Sequence, residues 1–462
     1  MADLHDAIAA EAERTAFSGV VRVDRGEETL VAQAFGLADR GREVPNTVGT
    51  RFALASGAKG FTALVVLSLV EDGTLALDTT ARSVLGDDLP LIDDAVTVEH
   101  LLSHRSGIGD YLDEDTMTDV KAYVMPVPVH TLQSTEDYLT VLDGHPQVSA
   151  PGERFAYNNG GFVVLALIAE RAGGEPFHRL VHERVGEPAG LRDTGYLRSD
   201  ELPGDAALGY LWTDRPRTNV FHLPVLGTGD GGIYSTVADL SRFWEALFGG
   251  EIVSIDVVAE MVRPRSDWPE EKRRYGLGFH LHATSGVVWL EGYDAGASFT
   301  STHEPNRRIT ATVISNTAEG VWPFVDCSTE SSGSKGPTTA RSTWQDSENG
   351  GAQKARRRPY VSRGHLGHHK PLTLHVRSAL TRRRSGVRVP QRPPEEAVGE
   401  KPSDYSGQLT AGANRRIRVT LRDSTGARTG SGDRERWSVS RPTFRRRACW
   451  NMLARPRPMA TS

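Results

Sequence analysis

The chain has 462 residues, 38% of them hydrophobic and 24% charged, with a formal net charge of −5. That average conceals a break: residues 1–326 hold 26 Lys and Arg against 49 Asp and Glu, whereas residues 327–462 hold 28 against 10. The tail also has only 16 Leu, Ile, Val and Phe in 136 residues, too few at such charge to offset the entropy of ordering, so three equal globular domains are excluded and the expectation is one acidic domain over 1–326 followed by a basic, disordered tail over 327–462.

Residues 2–16 suit an amphipathic opening helix. With no basic stretch and no apolar core, this segment does not read as a signal peptide, and a cytoplasmic address is expected. FSGVVRVDRG and EETLVAQAFGLA alternate apolar and polar residues around Arg25-Gly26-Glu27, which predicts a β-hairpin. GAKGFTALVVLSLVEDG is apolar nearly all round and predicts a helix buried at the centre of its domain, stopped by Gly73. Its longest apolar run, Phe61 to Val70, is shorter than the ~20 residues needed to span a membrane.

Residues 74–220 read as helices and loops. TVADLSRFWEALFGG predicts a further helix that opens on a capping-box-like pair, Thr236 and Asp239. From Tyr275 onwards YGLGFHLHAT, GVVWLEGYD, ASFTSTHEP and RITATVISNT predict strands joined by short connections such as Pro305-Asn306. The order of hairpin, helical block and strand run is α+β, not alternating βαβ. The only cysteines are Cys327 and Cys449, so residues 1–326 have neither a disulfide framework nor a cysteine metal site.

Two strings carry chemistry. Ser56-Gly57-Ala58-Lys59 places a hydroxyl where the buried helix begins and an amine one turn later on the same face. A serine needs a base before it can attack a carbonyl, a desolvated neutral lysine can be that base, and a helix N-terminus offers N–H groups to a developing oxyanion. Taken alone, the string reads more readily as a helix cap followed by a solvated lysine; a lysine three residues into a nearly all-apolar helix weighs against that. Tyr157-Asn158-Asn159 supplies a phenol that can exchange protons and an amide that can hold the lysine, with Gly160 and Gly161 allowing a tight loop. Taken alone, this is also ordinary turn chemistry.

With these two strings in order and about 100 residues apart, and with LLSHRSGIGDY at 101–111, EPAGLRDTGY at 187–196 and GDGGIYSTVADLSRFW at 229–244, residues 10–326 resemble the β-lactamase-related serine hydrolases. These include class C β-lactamases, D-alanyl-D-alanine carboxypeptidases and esterases. The resemblance implies an antiparallel β-sheet flanked by helices, a helical subdomain, and a site in the cleft between them. It makes Ser56 the acylated nucleophile, Lys59 its proton acceptor or tuner, and Tyr157 the general base and leaving-group donor. Asn159 would orient Lys59 and bind substrate, and the backbone N–H groups of Ser56 and Ala297 would form the oxyanion hole. It implies no metal and no cofactor.

The third motif departs from the family, in which Lys or His precedes any residue and then Gly. Here the string is Asp294-Ala295-Gly296. The small residues are kept and the cation is lost. A like charge ~4 Å from a substrate carboxylate costs about 4 kcal/mol at an effective dielectric near 20. The expectation is a hydrolase of neutral or cationic esters or amides and not an efficient β-lactamase. The alternatives are that Asp294 pairs with Lys59 or an arginine, or that the chain is a catalytically silent relative that binds a ligand in the same cleft.

Other signals are weaker. Gly227 to Gly232 fits G-x-G-x-x-G, but no βαβ unit surrounds it, so it is read as a turn shaping the cleft. His178 and His182 have zinc-like spacing without a third ligand, and His104 is read as structural. Arginine runs at 356–358, 382–384 and 445–447 admit nucleic-acid binding, which sparse aromatics and the lack of a binding fold disfavour. Gly320 to Asp326 reads as the start of the family's C-terminal helix. Beyond it the Arg-, Ser- and Pro-rich text resembles out-of-frame translation, so a frameshift near codon 327 is expected, and loss of that helix would uncover apolar sheet surface. The oligomeric state is left open.

Overall fold

In a computed structural model, residues 2–114, 117, 119–268 and 273–326 are described. The basic tail, its expected disorder and the frameshift reading lie outside them. In chain order come helix α1 (Ala2–Thr15), β1 (Gly19–Arg25), β2 (Glu28–Phe35), β3 (Leu37–Asp39), β4 (Val44–Pro45) and β5 (Phe52–Ala53). A single 3₁₀ turn, Ala55–Gly57, leads into α2 (Ala58–Glu71). The helical block is α3 (Ala81–Leu85), α4 (Val98–Leu102), α5 (Leu139–Leu142), α6 (Asn159–Gly173) and α7 (Phe177–Val181). Next are β6 (Gly195–Tyr196), β7 (Ile233–Ser235), α8 (Val237–Gly249) and α9 (Ile255–Met261). The chain then makes β8 (Ser266–Trp268), β9 (Arg273–Tyr275), β10 (His280–His282), β11 (Val288–Asp294), β12 (Ala297–Glu304), β13 (Ile309–Ser315) and α10 (Trp322–Asp326).

The main sheet is antiparallel, in the order β2-β1-β13-β12-β11-β10-β9-β8. The predicted hairpin and strand run therefore join edge to edge through β1 and β13, with Val21 opposite Val313. The strand run begins earlier than Tyr275, because β8 pairs with β9 from Ser266 to Trp268. β10 covers β11 only at Val288 and Trp289. Beyond that point β11 receives the 3₁₀ turn that carries Ser56.

The apolar composition of α2 has the predicted consequence: every residue from Ala58 to Leu69 is buried. The helix lies between the sheet and α6, where Gly60 meets Leu290 and Gly57 meets Phe299 so closely that a Cβ at either would be within 2.7 Å of those side chains. On the opposite face of the sheet α1 and α10 pack with Val21, Val23 and Val313, and Phe17 meets Phe324 edge-on at 4.7 Å. The start of the expected C-terminal helix is thus present at α10. At α8 the cap is half of the expected box. The Thr236 side chain accepts from the Asp239 N–H at 3.1 Å, but the Asp239 carboxylate turns away to Thr194 Oγ1 and the Asp193 N–H. Among the described residues, no helix is long and apolar enough to cross a membrane.

Candidate active site

Ser56 is carried by a strained approach. Ala55 just before it has φ +47°, in the left-handed region that an alanine rarely adopts. Gly292 on β11 permits the approach, since a Cβ there would sit 2.1 Å from the Leu54 carbonyl oxygen and 2.9 Å from the Ser56 nitrogen. A bulkier residue would push the serine turn off the sheet.

Lys59 is one turn on and 2% exposed. Its Nζ donates to Asn159 Oδ1 at 2.8 Å, to the Asp230 backbone carbonyl at 2.9 Å and to Ser56 Oγ at 3.1 Å. It also sits 5.0 Å from the centre of the Tyr157 ring. The four residues chosen from sequence therefore converge on one ammonium group. Burial pushes the Lys59 amine below its ordinary range, against the pull of Asp230, Glu114, Asp110 and Asp294. A lower pKa enlarges the neutral fraction able to take a proton from Ser56.

Asn159 opens α6, and Asn158 caps that helix by accepting from the Gly161 N–H at 2.6 Å. The Asn159 amide nitrogen donates to the Leu112 carbonyl at 2.9 Å, which leaves its oxygen facing Lys59. Asp110 clamps the same helix start by accepting from the Asn159 and Gly160 N–H groups at 2.6 and 2.8 Å. Burial nevertheless raises its carboxyl to about 6.

Tyr157 is held from behind by His104, whose ring lies 4.4 Å from that of Tyr157. His104 Nδ1 accepts from the Asn158 N–H at 3.0 Å, so its proton sits on Nε2 and points at the Tyr275 hydroxyl oxygen, 3.2 Å away. Burial, with help from the Lys59 and His280 charges, keeps the imidazole well below its ordinary pKa and therefore neutral. This matches the structural reading of His104 and gives it a task, that of positioning the 156–158 segment.

The glycine-rich loop proves to be part of the Lys59 support. Gly229 passes so close to α6 that a Cβ would lie 2.1 Å from the Phe162 carbonyl oxygen, and its own carbonyl accepts from Thr62 Oγ1 at 2.6 Å. That brings the Asp230 carbonyl to Lys59, while the Asp230 carboxylate accepts from the Tyr111 hydroxyl at 2.6 Å. Asp110, Tyr111, Glu114 and Asp230 were not singled out by sequence reasoning, although Asp110 and Tyr111 close LLSHRSGIGDY and Asp230 is the second residue of GDGGIYSTVADLSRFW.

Asp294 ends β11, Ala295 and Gly296 form the turn, and Ala297 opens β12 opposite Asp294. Gly296 has φ +75°, and a Cβ there would be 2.9 Å from the Tyr210 nitrogen, so glycine is required twice over. Asn219 fixes the turn by donating to the Ala295 carbonyl at 2.8 Å. The Asp294 carboxylate accepts from the Ala295 N–H at 2.8 Å; among the described residues it is within salt-bridge distance of neither Lys59 nor an arginine, although the Lys59 charge acts on it. Burial, reinforced by Asp230 and Glu114, pushes it up to about 7.

His178 and His182 do not meet a third ligand. His178 Nε2 bonds to the Gly227 carbonyl at 2.7 Å, His182 faces Glu187, and no group of three candidate metal ligands occurs among the described residues.

A family model described as Beta-lactamase matches residues 4–330. The chain belongs to the beta-lactamase family. Penicillin-binding protein 4* of Bacillus subtilis (strain 168) is 30% identical over 258 residues, 52% of this chain and 54% of that protein. The chain thus spans about half the length of that relative. Esterase EstB of Burkholderia gladioli is 30% identical over 296 residues, 58% of this chain and 75% of the esterase. The crystal structure of a penicillin-binding protein from Bacillus halodurans superposes with a TM-score of 0.65 at 33% identity, covering 69% of this chain and 98% of that one. The Bacillus halodurans structure therefore shares the α+β architecture of this chain.

Proposed function

We propose that this member of the beta-lactamase family is a serine hydrolase working through an acyl-enzyme, and that it prefers neutral or cationic esters and amides to carboxylate-bearing substrates such as β-lactams. The observation that carries the first half is the 3.1 Å contact between Lys59 Nζ and Ser56 Oγ, made by a lysine that burial has pushed toward its neutral form. Ser56 Oγ attacks the substrate carbonyl carbon as its proton passes to Lys59. The oxyanion forms against the Ser56 and Ala297 N–H groups, where fixed dipoles need no reorganisation. Tyr157 protonates the leaving group and takes back a proton from Lys59, so both regain their starting states; water then gives a proton to Lys59 as it attacks the acyl carbon, and that proton returns to Ser56 Oγ as the acid leaves. No metal and no cofactor is required by these steps.

The substrate preference rests on Asp294, with Asp110, Glu114 and Asp230 also acting on Lys59. Asp294 stands where the family resemblance implies a cation. Because the Asp294 carboxyl titrates near 7, repulsion of a substrate carboxylate grows as pH rises through that value and fades below it, where the group is a neutral hydrogen-bond donor. Three matched phenyl esters, bearing no charge, an ammonium or a carboxylate, test this. At pH 8 the neutral and ammonium esters should exceed the carboxylate ester in kcat/KM by about tenfold or more. The gap should narrow toward pH 6, and Asp294→Asn should close it at both pH values. Fastest turnover of the carboxylate ester or of penicillins at pH 8 would contradict the preference.

A further inference from the structure

One residue holds the backbone on both sides of Tyr157. His104, in the loop after α4, accepts from the Ala156 N–H through its carbonyl at 2.8 Å and from the Asn158 N–H through its ring Nδ1 at 3.0 Å. Between these two bonds its ring lies 4.4 Å from that of Tyr157. His104 does this from a backbone with φ +54°, a left-handed conformation that few residues other than glycine adopt. Strain of this kind gathers at functional sites, where the surroundings must hold it in place.

The bond to Asn158 depends on which tautomer the ring adopts. A backbone N–H can only donate, so Nδ1 must be bare and the ring proton must sit on Nε2. His104 is buried, and the acceptor for that proton is the Tyr275 hydroxyl oxygen at 3.2 Å. With this oxygen removed, Nε2–H would be a buried donor left unmade. Moving the proton to Nδ1 would relieve Nε2 but set one N–H against another at Asn158. A hydrogen bond is lost either way.

Tyr275 is itself fixed by the sheet. It ends β9, opposite Ser266 of β8 and His280 of β10. Its ring meets His280 edge-on at 4.9 Å and Phe155 at 5.6 Å. The outer strands of the sheet therefore reach Tyr157 through one hydrogen bond and one imidazole.

We infer that Tyr275 is a positioning residue for the leaving-group step: its hydroxyl selects the His104 tautomer that brackets Tyr157, and so holds the Tyr157 phenol where a departing group needs its proton. This role rests on Tyr157 being the leaving-group donor.

Values of kcat/KM, which report acylation, test it with a para-nitrophenyl ester and the ethyl ester of the same acid. Each rate is expressed per site titrated with fluorophosphonate, so that any unfolded fraction drops out. Tyr275→Phe keeps the ring contacts and deletes only the oxygen. It should lower the value for the ethyl ester about tenfold. The para-nitrophenyl ester, whose leaving group departs without a proton, should stay within about twofold of wild type. The same substitution in a His104→Asn background shows whether Tyr275 acts through His104. Asparagine tolerates the left-handed backbone and can turn its amide oxygen to the Asn158 N–H with no ring tautomer to select. In that background Tyr275→Phe should cost less than about twofold for the ethyl ester. Equal losses for the two esters, no loss for either, or the same loss in both backgrounds would overturn the role of Tyr275. Tyr157→Phe run alongside keeps this apart from the reaction itself: a loss without leaving-group dependence in that variant would overturn the reading of Tyr157, and the role of Tyr275 with it.

Discussion

Lys59→Met should lower kcat/KM toward a neutral ester by about 10³ while leaving a folded protein, because proton transfer by a positioned group typically contributes about 10²–10⁴. Methionine fills the space of the lysine stem, and the loss removes a charge that burial already disfavours. Asn159 Oδ1, the Asp230 carbonyl and Ser56 Oγ each lose a donor, and the carboxyl groups of Asp230, Glu114, Asp110 and Asp294 lose the Lys59 charge. Lys59→Arg distinguishes a base from a mere charge. Guanidinium keeps the positive charge but does not give up its proton near neutral pH, so this variant should be as inactive as Lys59→Met. Near wild-type turnover of Lys59→Arg would mean that Lys59 acts electrostatically only. Steady-state kinetics and a thermal unfolding curve for both variants settle the matter.

Tyr157→Phe should reduce kcat by about 10²–10³. The ring contacts with His104 and with the Lys59 ammonium depend on the aromatic face and survive the change. The deleted atom is the hydroxyl alone, so the loss should fall on kcat and leave KM close to the wild-type value. The defect should also shrink for esters with a strongly acidic leaving group, which departs without a proton. A uniform loss across leaving groups would remove Tyr157 from the leaving-group step and leave it a packing role.

Much of this site could be read before the fold was known, and the reason is local. Ser56 and Lys59 are one helical turn apart, and Tyr157 and Asn159 flank a helix start, so each pair is fixed by short-range geometry. The strand run was equally legible because its β-branched and aromatic residues and short turns are local signals, although β12 and β13 are buried along nearly their whole length. What was not legible depends on distant segments. Asp110 and Asp230 reach the site because a loop after α4 and the glycine-rich loop converge on the start of α6. The pairing of β1 with β13 joins the two ends of the domain, and nothing in either strand alone names its partner. β8 has only three residues and is a strand by virtue of β9. The positive φ of Ala55 was hidden because an alanine gives no warning of it; the cause is the sheet at Gly292. The role of Asp294 was half visible. Its place in the third motif followed from the family resemblance, but its elevated carboxyl pKa follows from burial, which only the structure supplies.

The central claim is that Ser56 is an activated nucleophile, and intact mass spectrometry after exposure to a serine-reactive fluorophosphonate tests it most directly. The account predicts a single adduct on the wild-type chain that maps to Ser56, is absent from Ser56→Ala, and forms far more slowly on Lys59→Met. A wild-type chain that unfolds cooperatively yet takes no adduct, or takes it equally with Ser56→Ala, would contradict it and leave a cleft that binds ligands without reacting.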